Sequence, residues 1–159
     1  MGFKKIKNQI KNLKCGKNCQ VFSSANIYDC EIGDNVFIGP FVEIQNNCYI
    51  GNDTRVSGHT SICSHVKIGE NCFIGHGVVF INDKFNTAIS YKEKRRKERV
   101  WLKNTIIKNN VLIGSGSCIL PVKICSNVII GAGSVVTKDI LEPGTYFGNP
   151  AKKLKIKKK

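Results

Sequence analysis

Three histidines fall within a short span of this chain, at His59, His65 and His76. An imidazole, with a pKa of about 6.5, exchanges a proton at neutral pH and suits general-base work. The three do not stand in equivalent places. His59 and His65 each fall three residues after a large aliphatic residue, Val56 and Ile62, whereas His76 falls two after Ile74. A corner of a repeat explains the first two; nothing in the repeat asks for a histidine at 76, which makes His76 the candidate base. Asn82 and Asp83 follow, just ahead of a run crowded with charge, "YKEKRRKERV". Both types suit a turn, and both could hold a polar ligand beside the base.

The elements that must position these groups are set by a six-residue beat. Ile32, Ile38, Ile44, Ile50, Val56, Ile62, Ile68, Ile74 and Phe80 are evenly spaced. Val21 and Ile27 precede them, one residue short of Ile32. Ile107, Ile113 and Ile119 resume the beat, and Ile124, Ile130 and Val136 continue it after a slip at Pro121. Four residues after the beats come small or β-branched types, among them Val36, Val42, Cys48, Thr54 and Thr60. Three residues after them come mostly Asn, Asp, His and Gly, the types that best tolerate positive φ. A helix would need apolar spacings of three and four. The beat instead predicts three short strands per eighteen-residue coil, an all-β parallel β-helix of hexapeptide repeats. Nearly six coils are expected, roughly 25–30 Å tall.

Residues 1–159 read as one domain with three appendages. Residues 83–105 leave the beat and predict a projecting loop. Phe3, Ile6, Ile10 and Leu13 stand at helical spacing among lysines. They predict a short basic N-terminal arm or amphipathic helix within residues 1–15, covering the open end of the coil. Residues 148–159 form a basic C-terminal tail.

The net charge of +14 points to anionic partners. No stretch is apolar enough to span a membrane and no signal peptide precedes the repeats, so a cytoplasmic protein without stable membrane insertion is expected. The eight cysteines form no C-x-x-C pair and read as reduced thiols, with Cys48 and Cys72 in the core. A pairing or metal site at Cys15 and Cys19 is the less favoured alternative. Three histidines at two different repeat positions argue against a metal centre of the carbonic-anhydrase kind. Aromatics that sit on beats rather than among the charges argue against a nucleic-acid binder, and a non-enzymatic basic scaffold is the least favoured reading.

The segments "FIGPFVEIQNNCYIG", "GHTSIC", "GHGVVFIND", "IGSGSCILP", "VIIGAGSVVTKDI" and "GNPAKKL" resemble the hexapeptide-repeat nucleotide-sugar N-acyltransferases, over roughly residues 27 to 155. The resemblance implies a left-handed β-helix, a homotrimer and acetyl-CoA as co-substrate. It implies N-acetylation, at C3 or C4, of an amino sugar linked to UDP or dTDP, in bacterial surface-glycan biosynthesis such as that of lipopolysaccharide O-antigen. In that setting His76 accepts or orients the amine proton, Asn82 bonds the amine or a hydroxyl, and Asp83 holds the ammonium. Glu43 and Gln45, from "VEIQ", and His59 become candidate sugar contacts. Gly114, Gly116, Ser117 and Ser134 would let the pantetheine arm lie along the backbone. Asn149, Lys152 and Lys153, in or after "GNPA", would meet the CoA nucleotide. An oxyanion donor could be the Gly77 N–H or a glycine of a neighbouring subunit. Two departures stand out: the residue missing after Pro121, and a short N-terminus without the domain that some of these enzymes use to hold the nucleotide. An O-acetyltransferase acting on a sugar or serine hydroxyl is the alternative.

Overall fold

The computed structural model describes residues 10–82 and 103–155. Its elements are all strands, wound as a parallel solenoid of about seven turns, consistent with left-handed coiling. Each turn crosses three flat faces. One face stacks β2 (Gln20–Val21), β4 (Phe37–Ile38), β7 (Arg55–Val56), β10 (Phe73–Ile74), β13 (Val111–Ile113), β16 (Val128–Ile130) and β18 (Gly144–Phe147). The next carries β5 (Glu43–Ile44), β8 (Ser61–Ile62), β11 (Val79–Phe80), β14 (Cys118–Ile119) and β17 (Val135–Val136). The third carries β6 (Tyr49–Ile50), β9 (Val66–Ile68), β12 (Thr105–Ile107) and β15 (Lys123–Ile124). At the bottom, β1 (Ile10–Cys15) and β3 (Asn26–Ile32) run unbroken round one corner and serve both faces that meet there. At the top, β19 (Lys152–Lys153) folds back antiparallel on β18.

The beat residues are the core. Ile38, Ile44, Ile50, Ile62, Ile68, Ile74 and Ile113 are each 0% exposed, and each contributes about 2 kcal/mol of apolar burial. The position four after a beat also turns inward. Where it carries a threonine, the coil above accepts the hydroxyl proton: Thr54 Oγ1 donates to the Gly69 carbonyl at 2.9 Å and Thr60 Oγ1 to Gly75 at 2.9 Å. Most hydroxyls therefore enter the core satisfied, the exceptions among the described residues being Ser57 and Thr105, whose buried oxygens have no partner.

The three corners differ in kind. An asparagine corner stacks Asn18, Asn35, Asp53, Asn71, Asn110 and Asn127, all at positive φ. Amide-to-oxygen bonds join neighbours along it, among them Asn35 to Asp53 at 2.9 Å and Asn71 to Asn110 at 2.8 Å. A histidine corner stacks Phe41, His59, Gly77, Gly116 and Gly133. A loop corner stacks Asn12, Asp29, Asn47 and His65. Beats are six apart across the first two corners at every turn, and every slip falls at the third. There the interval is five from Ile10 to Cys15, from Ile27 to Ile32 and from Ile119 to Ile124. It is 27 from Phe80 to Ile107, because residues 83–102 are inserted there. Asn82 and Lys103 close the stem, with the Lys103 N–H donating to the Asn82 carbonyl at 3.0 Å.

Two expectations are corrected. Residues 10–15 are strand, not helix: Ile10 pairs opposite Ile27 and Cys15 opposite Ile32. Docking against β3 satisfies backbone groups that β3 would otherwise leave open, and this tertiary gain outweighs a two-residue helical spacing. The rest of the basic arm, residues 1–9, lies outside the described residues, as do residues 156–159 of the tail. The coil count is about seven rather than nearly six, because β1 adds a coil below and β18 continues one above.

Candidate functional site

The histidine corner gathers most of the residues singled out by sequence. Its rungs run upward as Phe41, His59, then His76 with Gly77, then Gly114 to Ser117, then Gly131 to Ser134, and finally Gly148 and Asn149. Backbone bonds fix the order: His59 N–H to the Pro40 carbonyl at 3.0 Å, Gly77 to Gly58 at 3.1 Å, Gly116 to His76 at 2.8 Å and Gly133 to Ser115 at 2.9 Å. The Val135 N–H donates to the Gly148 carbonyl at 3.0 Å, which brings "GNPA" to the same edge. His76 is exposed, and its N–H donates to Ser115 Oγ at 3.1 Å.

Glycine is used here in two ways. A Cβ on Gly75 would lie 2.6 Å from the Ser115 nitrogen, and one on Gly114 would strike Ala132; these glycines let successive rungs stack. Gly116 and Gly133 hold φ near +69° and +67°, and a Cβ there would meet nothing within 4 Å. The edge above His76 is therefore open, bare backbone. The N–H groups of Ser115 and Ala132 have no acceptor among the described residues. The Gly77 N–H, by contrast, is already held by Gly58, which removes it as an oxyanion donor.

Ser117 and Ser134 do not line this edge. They are 1% and 0% exposed, and their hydroxyls donate inward, to Gly114 at 2.7 Å and Gly131 at 2.6 Å. Their place in the repeat, four after Ile113 and Ile130, sends them to the core. Ser115 and Ala132 stand at the surface instead. Lys153 is also committed elsewhere: its ammonium pairs with the Glu142 carboxylate at 2.8 Å, which lowers the Glu142 pKa and raises its own. Lys152 is exposed on β19.

A second polar group lies across the next face. Glu43 on β5 accepts from Gln45 Nε2 and from Ser61 Oγ, both at 3.4 Å. Ser64 donates to Gln45 Oε1 through its N–H at 3.2 Å and to Asn46 Oδ1 through its hydroxyl at 2.7 Å. Asn82 Nδ2 donates to the Ser64 carbonyl at 3.4 Å. Glu43, Gln45 and Asn82 are thus brought together, but towards the loop corner. Within one chain β11 separates Asn82 from His76. Asp83 lies outside the described residues. His65 stands at the loop corner, a face away from His59 and His76, and no group of three His, Cys, Asp or Glu among the described residues is placed to hold a metal ion.

The residue that sequence reasoning missed is Phe41. Its ring stacks on His59, with centroids 5.0 Å apart and planes 27° from parallel. Its signal was legible: it stands three after Ile38, at a corner position held mostly by Asn, Asp, His or Gly.

A parallel three-faced coil with αL corners and an open glycine edge defines the class of hexapeptide-repeat β-helices. The "Bacterial transferase hexapeptide (six repeats)" family matches residues 29–62 and 47–82, and the "Hexapeptide repeat of succinyl-transferase" matches residues 104–138. The chain belongs to the hexapeptide-repeat transferase family. The bifunctional protein GlmU of Caldicellulosiruptor saccharolyticus is 35% identical over 146 residues, 80% of this chain but 28% of its own length. The chain thus spans less than a third of the curated relatives it matches. Among solved structures, a variant of AntD, an N-acyltransferase from Bacillus cereus in complex with dTDP and coenzyme A, is 25% identical with a TM-score of 0.72. That match covers 94% of this chain and 86% of the other. The GDP-perosamine N-acetyltransferase of Caulobacter crescentus, in complex with CoA and GDP-perosamine, shares the fold at a TM-score of 0.56 and 18% identity. There the match covers 92% of this chain and 57% of the other.

Proposed function

We propose that this protein is an acetyl-CoA-dependent N-acetyltransferase acting on the C3 or C4 amine of a UDP- or dTDP-linked amino sugar. The observation that carries the reading is the histidine edge itself. An exposed His76 stands between open backbone above, at Gly114–Gly116 and Ala132–Gly133, and the exposed His59 one rung below. An extended thioester arm suits the upper part and a sugar suits the lower. In the reaction the neutral amine attacks the thioester carbonyl, the C–S bond breaks, and CoA leaves as the thiol. The amine loses one proton, which His76 accepts and passes on. Ser115 and Ala132 N–H groups are the backbone donors left for the pantetheine carbonyls or the developing oxyanion. Asn149 and Lys152 stand at the top of the same edge, where a CoA phosphate would be met.

The Asn82–Glu43–Gln45 group lies a face away, so in this reading it serves the histidine edge of a second copy. A homotrimer would place the two groups opposite each other; residues 83–102, the greater part of the expected projecting loop, lie outside the described residues. The exposed Phe73, Leu112 and Ile129, at 39%, 40% and 47%, form an apolar stripe beside the histidine edge that such association would cover. A cytoplasmic place in surface-glycan synthesis fits substrates of this kind. The test is an acceptor screen with acetyl-CoA and UDP- or dTDP-linked 3-amino and 4-amino sugars, followed by thiol release. Turnover with one of them is expected; none with any would refute the assignment.

A further inference from the structure

Among the described residues twelve that are not glycine adopt positive φ, and eleven of them are Asn, Asp or His. The twelfth is Phe41, at φ 57°. A bulky aromatic gains nothing locally from this conformation, which costs of order 1–2 kcal/mol for a residue with a Cβ and no short polar side chain. Strain of this sort, when a fold retains it, marks positions to inspect for function. The ring does not repay it by burial either, because Phe41 is 61% exposed. One ring face rests on His59. Beneath the other, the coil below offers this corner only the small Ser23 and Ser24, with Ser24 Oγ accepting the Phe41 N–H at 3.4 Å.

We propose that Phe41, backed by His59, is a stacking platform for the nucleobase of the acceptor substrate. This rests on the transfer reaction proposed above and gives the nucleotide a place on this chain. A flat heteroaromatic ring is the ligand that a flat, exposed, pre-stacked aromatic pair recognises without regard to its hydrogen-bonding edge. Two bound molecules would each carry such a ring, the adenine of CoA and the base of the nucleotide sugar. Position along the edge favours the second. The open glycine backbone and "GNPA" lie above His76, whereas Phe41 lies two rungs below it, about 10 Å down the axis. That interval, plus one stacking distance, leaves room for a diphosphate and a ribose between the reacting amine and the base.

The experiment uses the full chain and three variants. Phe41→Asn removes the ring while fitting the corner as asparagine does at neighbouring turns; Phe41→Tyr keeps the ring; His59→Asn removes the backing. Calorimetric binding of dTDP, UDP, CoA and 3′,5′-ADP is measured for each. Phe41→Asn is expected to weaken dTDP and UDP about tenfold or more, with CoA and 3′,5′-ADP unchanged. Phe41→Tyr should restore binding, His59→Asn should weaken it less than Phe41→Asn, and Phe41→Asn should melt no lower than the parent chain. Loss confined to CoA and 3′,5′-ADP would assign the platform to adenine and overturn the proposal. Unchanged binding of all four ligands, or no binding of dTDP or UDP by the parent chain, would overturn it as well. The transfer reading fails separately: platform-dependent dTDP or UDP binding with no amino sugar acetylated would sink that reading and leave the platform standing.

Discussion

In the proposed reaction His76 would act with little help from its surroundings, since it is exposed and its ring has no hydrogen-bond partner among the described residues. An amine acceptor is already partly neutral near pH 7, so the base is useful rather than indispensable. His76→Ala should lower kcat about a hundredfold while leaving a measurable remainder, and KM for acetyl-CoA should barely move. A rate lost altogether would point to a hydroxyl acceptor instead. The buried thiols give a second prediction. Burial pushes Cys30 up to about 12 and Cys48 up to about 11, from 9.0 in the unfolded chain. Between those limits the folded state holds more protons than the unfolded one. The stabilisation is complete below pH 9.0 and is lost as pH climbs through 11 to 12. Cys48→Val, which copies Val36 and Val42, should flatten part of this alkaline fall in melting temperature. At this scale the sequence told much about His76, whose off-beat place matches its exposure. It was misread at Ser117 and Ser134, where the repeat's own inward position four should have outweighed the motif.

A rung succeeds or fails by its corners. Gly116→Ala puts a Cβ into positive φ with space around it, so it should cost about 1 kcal/mol. Gly116→Asn should recover most of that, because asparagine holds the equivalent conformation at 71, 110 and 127. Gly114→Ala should cost more than Gly116→Ala despite the smaller conformational demand, since its Cβ runs into the backbone of the rung above. Urea unfolding of the three variants ranks them, and the reverse order would refute the account. Strands and corners were legible from the beat, because one residue in six must be large and one must accept αL. What the beat hid was the first strand. Ile10 and Leu13 show a helical spacing in isolation, and only the presence of β3 alongside decides the matter.

For the molecule as a whole, the question is what the stripe of Phe73, Leu112 and Ile129 touches. If it is buried between copies, Ile129→Glu should shift the mass in solution from trimer to monomer, measured by light scattering. Acetyl transfer should fall with it, even though His76 is untouched. A trimer that survives, or a monomer that remains active, would separate the site from association. The three-faced coil could be read from spacing alone, although spacing put it at nearly six turns where the structure has about seven. The meeting of His76 with Asn82 that the proposed trimer requires could not, because it depends on how separate surfaces meet, and a single chain's periodicity contains no such information. Two edges of the prism keep a fixed count through every turn, while the edge at Asn82 and Lys103 tolerates four, five, six or 27 residues between beats. That edge is a natural graft point. A foreign peptide spliced between Thr137 and Lys138 should leave melting cooperative, whereas the same splice between Asn127 and Val128 should unzip the stack.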